Sequence, residues 1–496
     1  MDVKHAVKNG FLNLGMQVFP VLSALLAVPF TLKAFGAEAF AIFSLGVTGI
    51  VLFNYLNFGV AQAATRSLAK RPPASDVAKT NQIFYSGAVT ILAIGLLFAG
   101  LAFGLSSALA EMTAGTGPMR PVAEVFFRGI GLASPLFLFI IYLRGCLESQ
   151  QLFKVTALNR AVLNSVIFLS PLVPALLGHG IEASLYVMLA AHLGSLFFLF
   201  AKTRQALGLE SRIRVTRVEI VDLLGAGGWM TVSSLAAMLL LYADRFIIST
   251  LSGLTVAAYY LAAFDLVSRL SLIYGSLTAA FFPAIAQWKE QGEEGKITAV
   301  LALSSKAMFL VMLVIVSALA AFSREILALW ISADFAGHAA MMLSVLAFGI
   351  FFNAMAVTPQ RALLAIGRER AVGLYVAVQS IVYVAASVAA VMRVGPMGAC
   401  IAFVIRALLE YLVLSGILNR DTFKLALGVM ARRALPYALL MLVSMAAALS
   451  VMEAAWRAKL TVLALLLTAL PVVFYGVLLS KRDRIIISER IKSTRP

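Results

Sequence analysis

The chain has 496 residues, a mean hydropathy of +0.96, 61% apolar residues and 13% charged ones. No soluble domain of this length has such a composition, so its work lies in or across a membrane. A net charge of +17 is the kind of balance nucleic acid attracts, but the charge sits in alternate loops, which argues against that partner.

Fourteen apolar stretches run along the chain, at 10–32, 40–62, 83–108, 122–143, 155–177, 181–201, 222–248, 255–280, 299–322, 339–360, 373–392, 396–418, 434–452 and 460–480. Each can cross a hydrocarbon core of roughly 30 Å, which takes about 20 residues as a helix. Only helices and closed barrels satisfy their backbone in lipid, and these runs are too long and continuous for barrel strands. The expected fold is an all-α polytopic membrane protein of about 14 transmembrane helices. The first run is too long for a leader and lacks a small-residue cleavage site, so no cleavable signal is expected. It holds Pro20 and Pro29, which makes it the best candidate for a helix that bends during a cycle. Gly100 and Gly104 in the third run form a GxxxG, read as a helix-packing face. Pro135, Pro171, Pro174 and Pro359 are read as static kinks.

Shifting the sequence by 217 residues places Gly10 on Gly227 and Gly36 on Gly253. Both pairs frame a long apolar helix, a glycine and a second helix. Spans 1–2 thus correspond to spans 7–8, in the same orientation, which predicts two parallel-repeat six-helix bundles. The expected division is 1–201 for the first bundle, 202–221 for a basic linker and 222–418 for the second bundle. Residues 419–480 add two helices and 481–496 a basic tail.

Of the 40 Lys and Arg, 30 are assigned to one set of alternating loops and their adjoining span margins, 6 to the opposite set and 4 to span interiors. By the positive-inside rule both termini are cytoplasmic. The basic tail is expected also to touch anionic lipid, unspecifically. The loops are too short to fold as domains. The segment Gly292-Glu293-Glu294-Gly295-Lys296-Ile297 lacks the spacing and the Ser/Thr of a P-loop, so ATP hydrolysis is not expected. Two cysteines and four scattered histidines offer no metal-ligand spacing, and no cofactor or metal is expected.

Setting aside charges assigned to the span margins, seven ionisable residues are taken as intramembrane: Arg128, Asp244, Arg245, Asp265, Arg269, Arg406 and Glu410. Each costs roughly 2.5–3.5 kcal/mol at mid-span, so they must face one another or a wet cavity. Asp265 and Arg269 are four apart, as are Arg406 and Glu410, and either pair can be an intrahelical ion pair. Asp244 and Arg245 point about 100° apart and need partners elsewhere, or snorkel to the external interface. Arg128 is expected to line a cavity rather than to pair with Glu124. Inward-facing arginines suit phosphate, because the planar guanidinium donates in pairs. Candidate substrate-binding cations are therefore Arg128, Arg269 and Arg406, with Arg245 weaker. Asp244, Asp265 and Glu410 are the candidate ion-coupling or ion-pair carboxylates.

From Asp244-Arg245-Phe246-Ile247-Ile248 the chain continues through Gly253-Leu254-Thr255-Val256-Ala257-Ala258-Tyr259-Tyr260 and Asp265-Leu266-Val267 to Phe282-Pro283-Ala284. Spans 1–2 carry Phe35-Gly36, Asn57-Phe58-Gly59 and Ala64-Thr65-Arg66. These segments resemble the bacterial oligosaccharide or O-antigen flippases, in the superfamily that also holds multidrug/toxin extruders and the peptidoglycan-precursor flippase. The resemblance implies a V-shaped two-bundle fold and alternating access in the bacterial inner membrane. It implies a polyprenyl-diphosphate-linked oligosaccharide as substrate, with membrane lipids, a polysaccharide polymerase and a chain-length regulator as partners. A multidrug extruder favours acidic, aromatic pockets, against which four arginines to three carboxylates argue mildly. A membrane polymerase or glycosyltransferase needs a sizeable catalytic loop, and the external loops here are short.

Overall fold

The computed structural model describes residues 3–70, 76–210, 212–279, 285, 287–289, 291–420, 440–441, 443–452, 454 and 456–473. Among them the regular structure is helical, with no strand. Nine of the described helices are long and apolar enough to cross a membrane, or ten when one bent pair counts as a span. The last two predicted spans, the 419–439 connection and the basic tail lie partly or wholly outside the described residues.

The helices form two compact units, Met1–Leu261 with Val376–Pro396, and Ala262–Tyr375 with Met397–Pro496. The first unit opens with α1 (Val3–Leu52), which contains predicted span 1 and most of span 2. Gly36 breaks α1 at φ 82° and ψ 173°, a conformation closed to residues with a Cβ. Gly253, 217 residues later, has φ 86° and ψ 164° between α9 (Arg217–Ser252) and α10 (Leu254–Ser268). The two glycines that the 217-residue shift aligns therefore share one backbone geometry. Two residues past each glycine stand Glu38 and Thr255, and the Thr255 hydroxyl donates to Glu38 at 3.2 Å.

Asn57-Phe58-Gly59 is a helix-stopping turn between α1 and α2 (Val60–Ala69), so predicted span 2 ends earlier than expected, at Leu52. Phe58 and Gly59 take positive φ, of 49° and 69°. The Asn57 amide donates to Asn54 O at 2.8 Å and its oxygen accepts from Gly59 N at 3.0 Å. This is the local side-chain bonding by which Asn favours turns over helix.

Beyond it, α3 (Val77–Ala114) packs on α4 (Arg120–Leu132) and α5 (Ser134–Ser149). The bend between α4 and α5 is 45°, with Pro135 just past it. Small residues permit the close approach. A Cβ on Gly95 would lie 2.5 Å from Pro135 Cα, and one on Gly131 would lie 1.9 Å from Ala102 Cβ. By contrast, Cβ atoms on Gly100 and Gly104 would meet nothing within 4 Å, so the GxxxG does not pack within the described chain and that expectation is corrected. The packing positions are set by which way α3 is rotated, which the motif does not encode. Gly95→Leu is expected to cost about 1–3 kcal/mol by overpacking against backbone. Gly100→Leu should leave the melting temperature of the solubilised protein unchanged, and equal losses for both would refute the assignment.

The chain continues through α6 (Phe153–Leu169), α7 (Leu172–Leu177) and α8 (Ala183–Leu207). The basic segment after α8 is tied to α3. Tyr85 donates to Glu210 O at 2.7 Å, Glu210 N to Asn81 at 3.2 Å and Thr216 N to Ser86 at 3.1 Å, and Lys79 pairs with Glu219.

The second unit holds α11 (Ser271–Ala279), α12 (Glu294–Ala321), α13 (Ser323–Trp330), α14 (Ala333–Ala365), the start of α15 (Glu369–Val394), α16 (Pro396–Leu418) and α17 (Trp456–Val473). Helix α14 is mostly buried, and α11, α12 and α13 pack around it. Its Gly349 lies against Phe403 of α16. The loop expected from Ser323 to Ala339 is instead helical for most of its length, as α13 and the first turns of α14.

Candidate functional site

In the first unit, α9 carries Asp244 and Arg245 into the interior, at 1% and 9% exposure, so they do not snorkel to the interface. Asp244 accepts from the Tyr260 hydroxyl, from Arg245 N at 2.8 Å and, at a longer 3.4 Å, from the Tyr383 hydroxyl. An ionised carboxylate can only accept, and three donors from three helices meet it here. The Arg245 guanidinium donates to the Thr48 hydroxyl at 2.9 Å and lies 5.3 Å from the centre of the Tyr242 ring. Tyr242 in turn meets Tyr55, edge to face, at 6.0 Å. The cluster thus draws on α1, the Tyr55 turn, α9, α10 and α15.

In the second unit, Arg406 and Glu410 stand one turn apart on α16 and are both buried. Arg406 Nη1 donates to Glu410 Oε2 at 3.0 Å, and its Cζ lies 5.0 Å from the centre of the Phe403 ring. This is the intrahelical pair the spacing allows. Tyr274 of α11 and Tyr375 of α15 lie within electrostatic reach of both charges, and Tyr274 also donates to Asn353 of α14 at 2.9 Å. Asp265 and Arg269 belong to the same unit and are half-buried. Helix α10 ends at Ser268, so Arg269 sits in the turn before α11 rather than on a continuous helical face.

Arg128 departs from expectation. It pairs with Glu124, donates to Ser106 at 3.3 Å and lies 5.5 Å from the Phe103 ring centre. The i,i+4 geometry within α4 makes that pairing available, and an Arg in an apolar setting takes the nearest carboxylate.

Several partners escaped the sequence reading. Tyr260 stands in the family-like segment, but nothing local marks its hydroxyl as a donor to Asp244. Arg144, read as a loop charge, lies inside α5 and donates to Asn159 at 3.0 Å, and Asn159 donates to Ser195 at 2.7 Å. Lys459, read as an external-loop charge, is 0% exposed. It donates to both Glu325 oxygens, at 2.7 and 2.9 Å, and to Met452 O at 2.5 Å.

Residues 6–289 match the family model described as "Polysaccharide biosynthesis protein". The chain belongs to this family. A Shigella flexneri protein named "Putative O-antigen transporter" is 24% identical over 415 residues, covering 84% of this chain and 98% of its own. Among solved structures, the lipid II flippase MurJ in an inward closed conformation superposes with a TM-score of 0.71 at 14% identity, covering 97% of this chain and 100% of its own. An inward-facing MATE-family multidrug transporter of the MOP superfamily gives 0.69 at 16%, covering 84% and 98%. The likeness gives this family member the polytopic helical fold of those transporters. It is a multi-pass membrane transporter of the polysaccharide biosynthesis family.

Proposed function

We propose that the protein moves a polyprenyl-diphosphate-linked oligosaccharide from the cytoplasmic to the external leaflet by alternating access, for export of exopolysaccharide, O-antigen or capsule. The observation that carries this reading is the placing of arginines within the apolar spans of a member of the polysaccharide-biosynthesis family, with Arg245 and Arg406 buried and Arg269 half-buried. A sugar-diphosphate head cannot cross lipid unaided, because desolvating its charges and hydroxyls is costly. Arginine forks replace the lost water around the phosphates, and the prenyl tail stays in lipid. The protein makes and breaks no covalent bond in this reading.

The repeat-related segments 1–201 and 222–418 are the two functional halves, joined by 202–221, with 419–480 and the tail 481–496 appended. The location is the bacterial inner membrane, with both termini cytoplasmic. A polymerase and a chain-length regulator receive the product outside. An anion leaving a negative cytoplasm gains roughly 2.3 kcal/mol per charge per 100 mV, so a head with about two charges gains roughly 4–5 kcal/mol without ATP.

The test is translocation in proteoliposomes of a polyprenyl-diphosphate oligosaccharide, with and without an imposed potential. Protein-dependent flipping accelerated by a positive-outside potential is expected. Efflux of a cationic dye with no lipid movement points instead to a multidrug extruder. In the same assay Arg269→Ala is expected to lower flipping at least 10-fold with an unchanged melting temperature. Normal flipping by that variant removes Arg269 from the site.

A further inference from the structure

We propose that the basic segment 212–218 is an anchor for anionic phospholipid. Its arginines take headgroup phosphates, while Ile213, Val215 and Val218 sit at the boundary between headgroups and acyl chains. The leaflet is the cytoplasmic one, given the orientation proposed above.

The segment follows α8 and leads into α9, and bonds to α3 within the first unit fix its place. The Glu210 carbonyl accepts from Tyr85, the Glu210 amide donates to Asn81, and the Thr216 amide donates to the Ser86 hydroxyl. Just beyond, Glu219 in the first turn of α9 pairs with Lys79. Tyr85 and Ser86 stand in the first turn of the apolar run that begins at residue 83. The segment is thus held at the depth where hydrocarbon gives way to water. Ties at 210, 216 and 219 leave little chain free to fold its side chains inward.

What it presents there has two characters at once. Arg212, Ile213, Val215, Arg217 and Val218 are exposed, and Arg214 is half-buried. Ile213 is 69% exposed and Val218 67%, and Val221 continues the apolar side into α9 at 58%. A solvated loop that only sets topology needs the arginines and gains nothing from bulky aliphatic residues set among them. Hydrocarbon suits the aliphatic residues and rejects the arginines. The headgroup region satisfies both, with aliphatic side chains at the acyl boundary and guanidiniums on phosphate oxygens. None of the three arginines has a carboxylate partner among the described residues, and the carboxylate nearest to Arg217 along the chain, Glu219, is taken by Lys79. Three cations set so close together favour lipids of net negative charge over zwitterionic ones.

The test places a fluorescent label on Ile213→Cys; the two native cysteines, Cys146 and Cys400, are buried and do not compete for it. The full chain is reconstituted in nanodiscs of equal phosphatidylglycerol and phosphatidylcholine, with one lipid or the other brominated on its acyl chains as quencher. Brominated phosphatidylglycerol is expected to quench about 3-fold more strongly than brominated phosphatidylcholine. A label that merely dips into lipid shows no such preference. The preference should vanish in 1 M salt, where the screening length is about 3 Å, while quenching itself persists. It should vanish likewise in the combined Arg212→Gln, Arg214→Gln, Arg217→Gln variant. The salt arm uses no arginine variant, so the proposal stays testable if that variant does not fold. Equal quenching by both lipids overturns the proposal, because the contact is then ordinary boundary lipid. A preference that survives salt or arginine removal overturns the role of the arginines. Absence of quenching by either lipid also overturns it, and leaves the exposed face to a protein partner.

Discussion

Asp244→Ala is expected to destabilise the first compact unit by about 2–6 kcal/mol, because it removes the carboxylate acceptor from two buried tyrosine hydroxyls at roughly 1–3 kcal/mol each. Tyr260 is 0% exposed and Tyr383 3%, so water does not replace the lost acceptor cheaply. Arg245, adjacent in sequence and also buried, loses the negative charge nearest to it along the chain. A fall in melting temperature on the order of 10 °C follows from the usual scaling for a unit of this size. Asp244→Asn keeps an acceptor oxygen and should lose less than half as much. Tyr260→Phe in the Asp244→Ala background removes one hydroxyl that has lost its carboxylate acceptor and should restore part of the loss. An unchanged melting temperature in Asp244→Ala excludes the cluster as a structural anchor.

Glu325→Ala carries a comparable cost by a different route. It leaves the Lys459 ammonium fully enclosed, with the Met452 carbonyl in place of a counter-charge. Removing one partner of a fully buried pair costs about 3–5 kcal/mol, an upper bound here because Glu325 is only half-buried, whereas replacing both partners by apolar residues is often neutral. The double variant Glu325→Leu, Lys459→Met should therefore melt near wild type, well above either single charge deletion. If the double variant is as unstable as Glu325→Ala, the pair contributes packing that apolar side chains cannot reproduce. The experiment also tests how α17 is anchored, since Lys459 ties its first turns to α13.

The Arg406–Glu410 pair was legible in the sequence because four residues on a helix are neighbours whatever surrounds them. The same rule made Glu124 available to Arg128, and there the preference for a cavity was misplaced. Asp244 was recognisable only as a charge needing partners. Its two tyrosine donors stand 16 and 139 residues away, and no spacing links them. Lys459 was misread because a charge near the end of an apolar run looks like a loop charge, while its carboxylate lies 134 residues earlier. The glycines followed the same division. Gly36 and Gly253 could be matched because a helix break is a local event. Gly95 and Gly131 could not be told from Gly100, since their meaning depends on which face of α3 meets α5 and α4.

By itself, then, the sequence determined that this is a membrane-spanning helical chain, where most of its described helices run, that Gly36 and Gly253 correspond, and which charges must be accounted for. Lipid reads hydropathy and length residue by residue, so these properties are local. Only the tertiary structure decided which tyrosines hold Asp244, which carboxylate takes Lys459 and which glycines allow close packing. Those choices depend on the rotation of each helix about its axis and on contacts between residues far apart in the chain. A hydropathy pattern leaves both undetermined, because an apolar surface satisfies lipid and protein neighbours equally well.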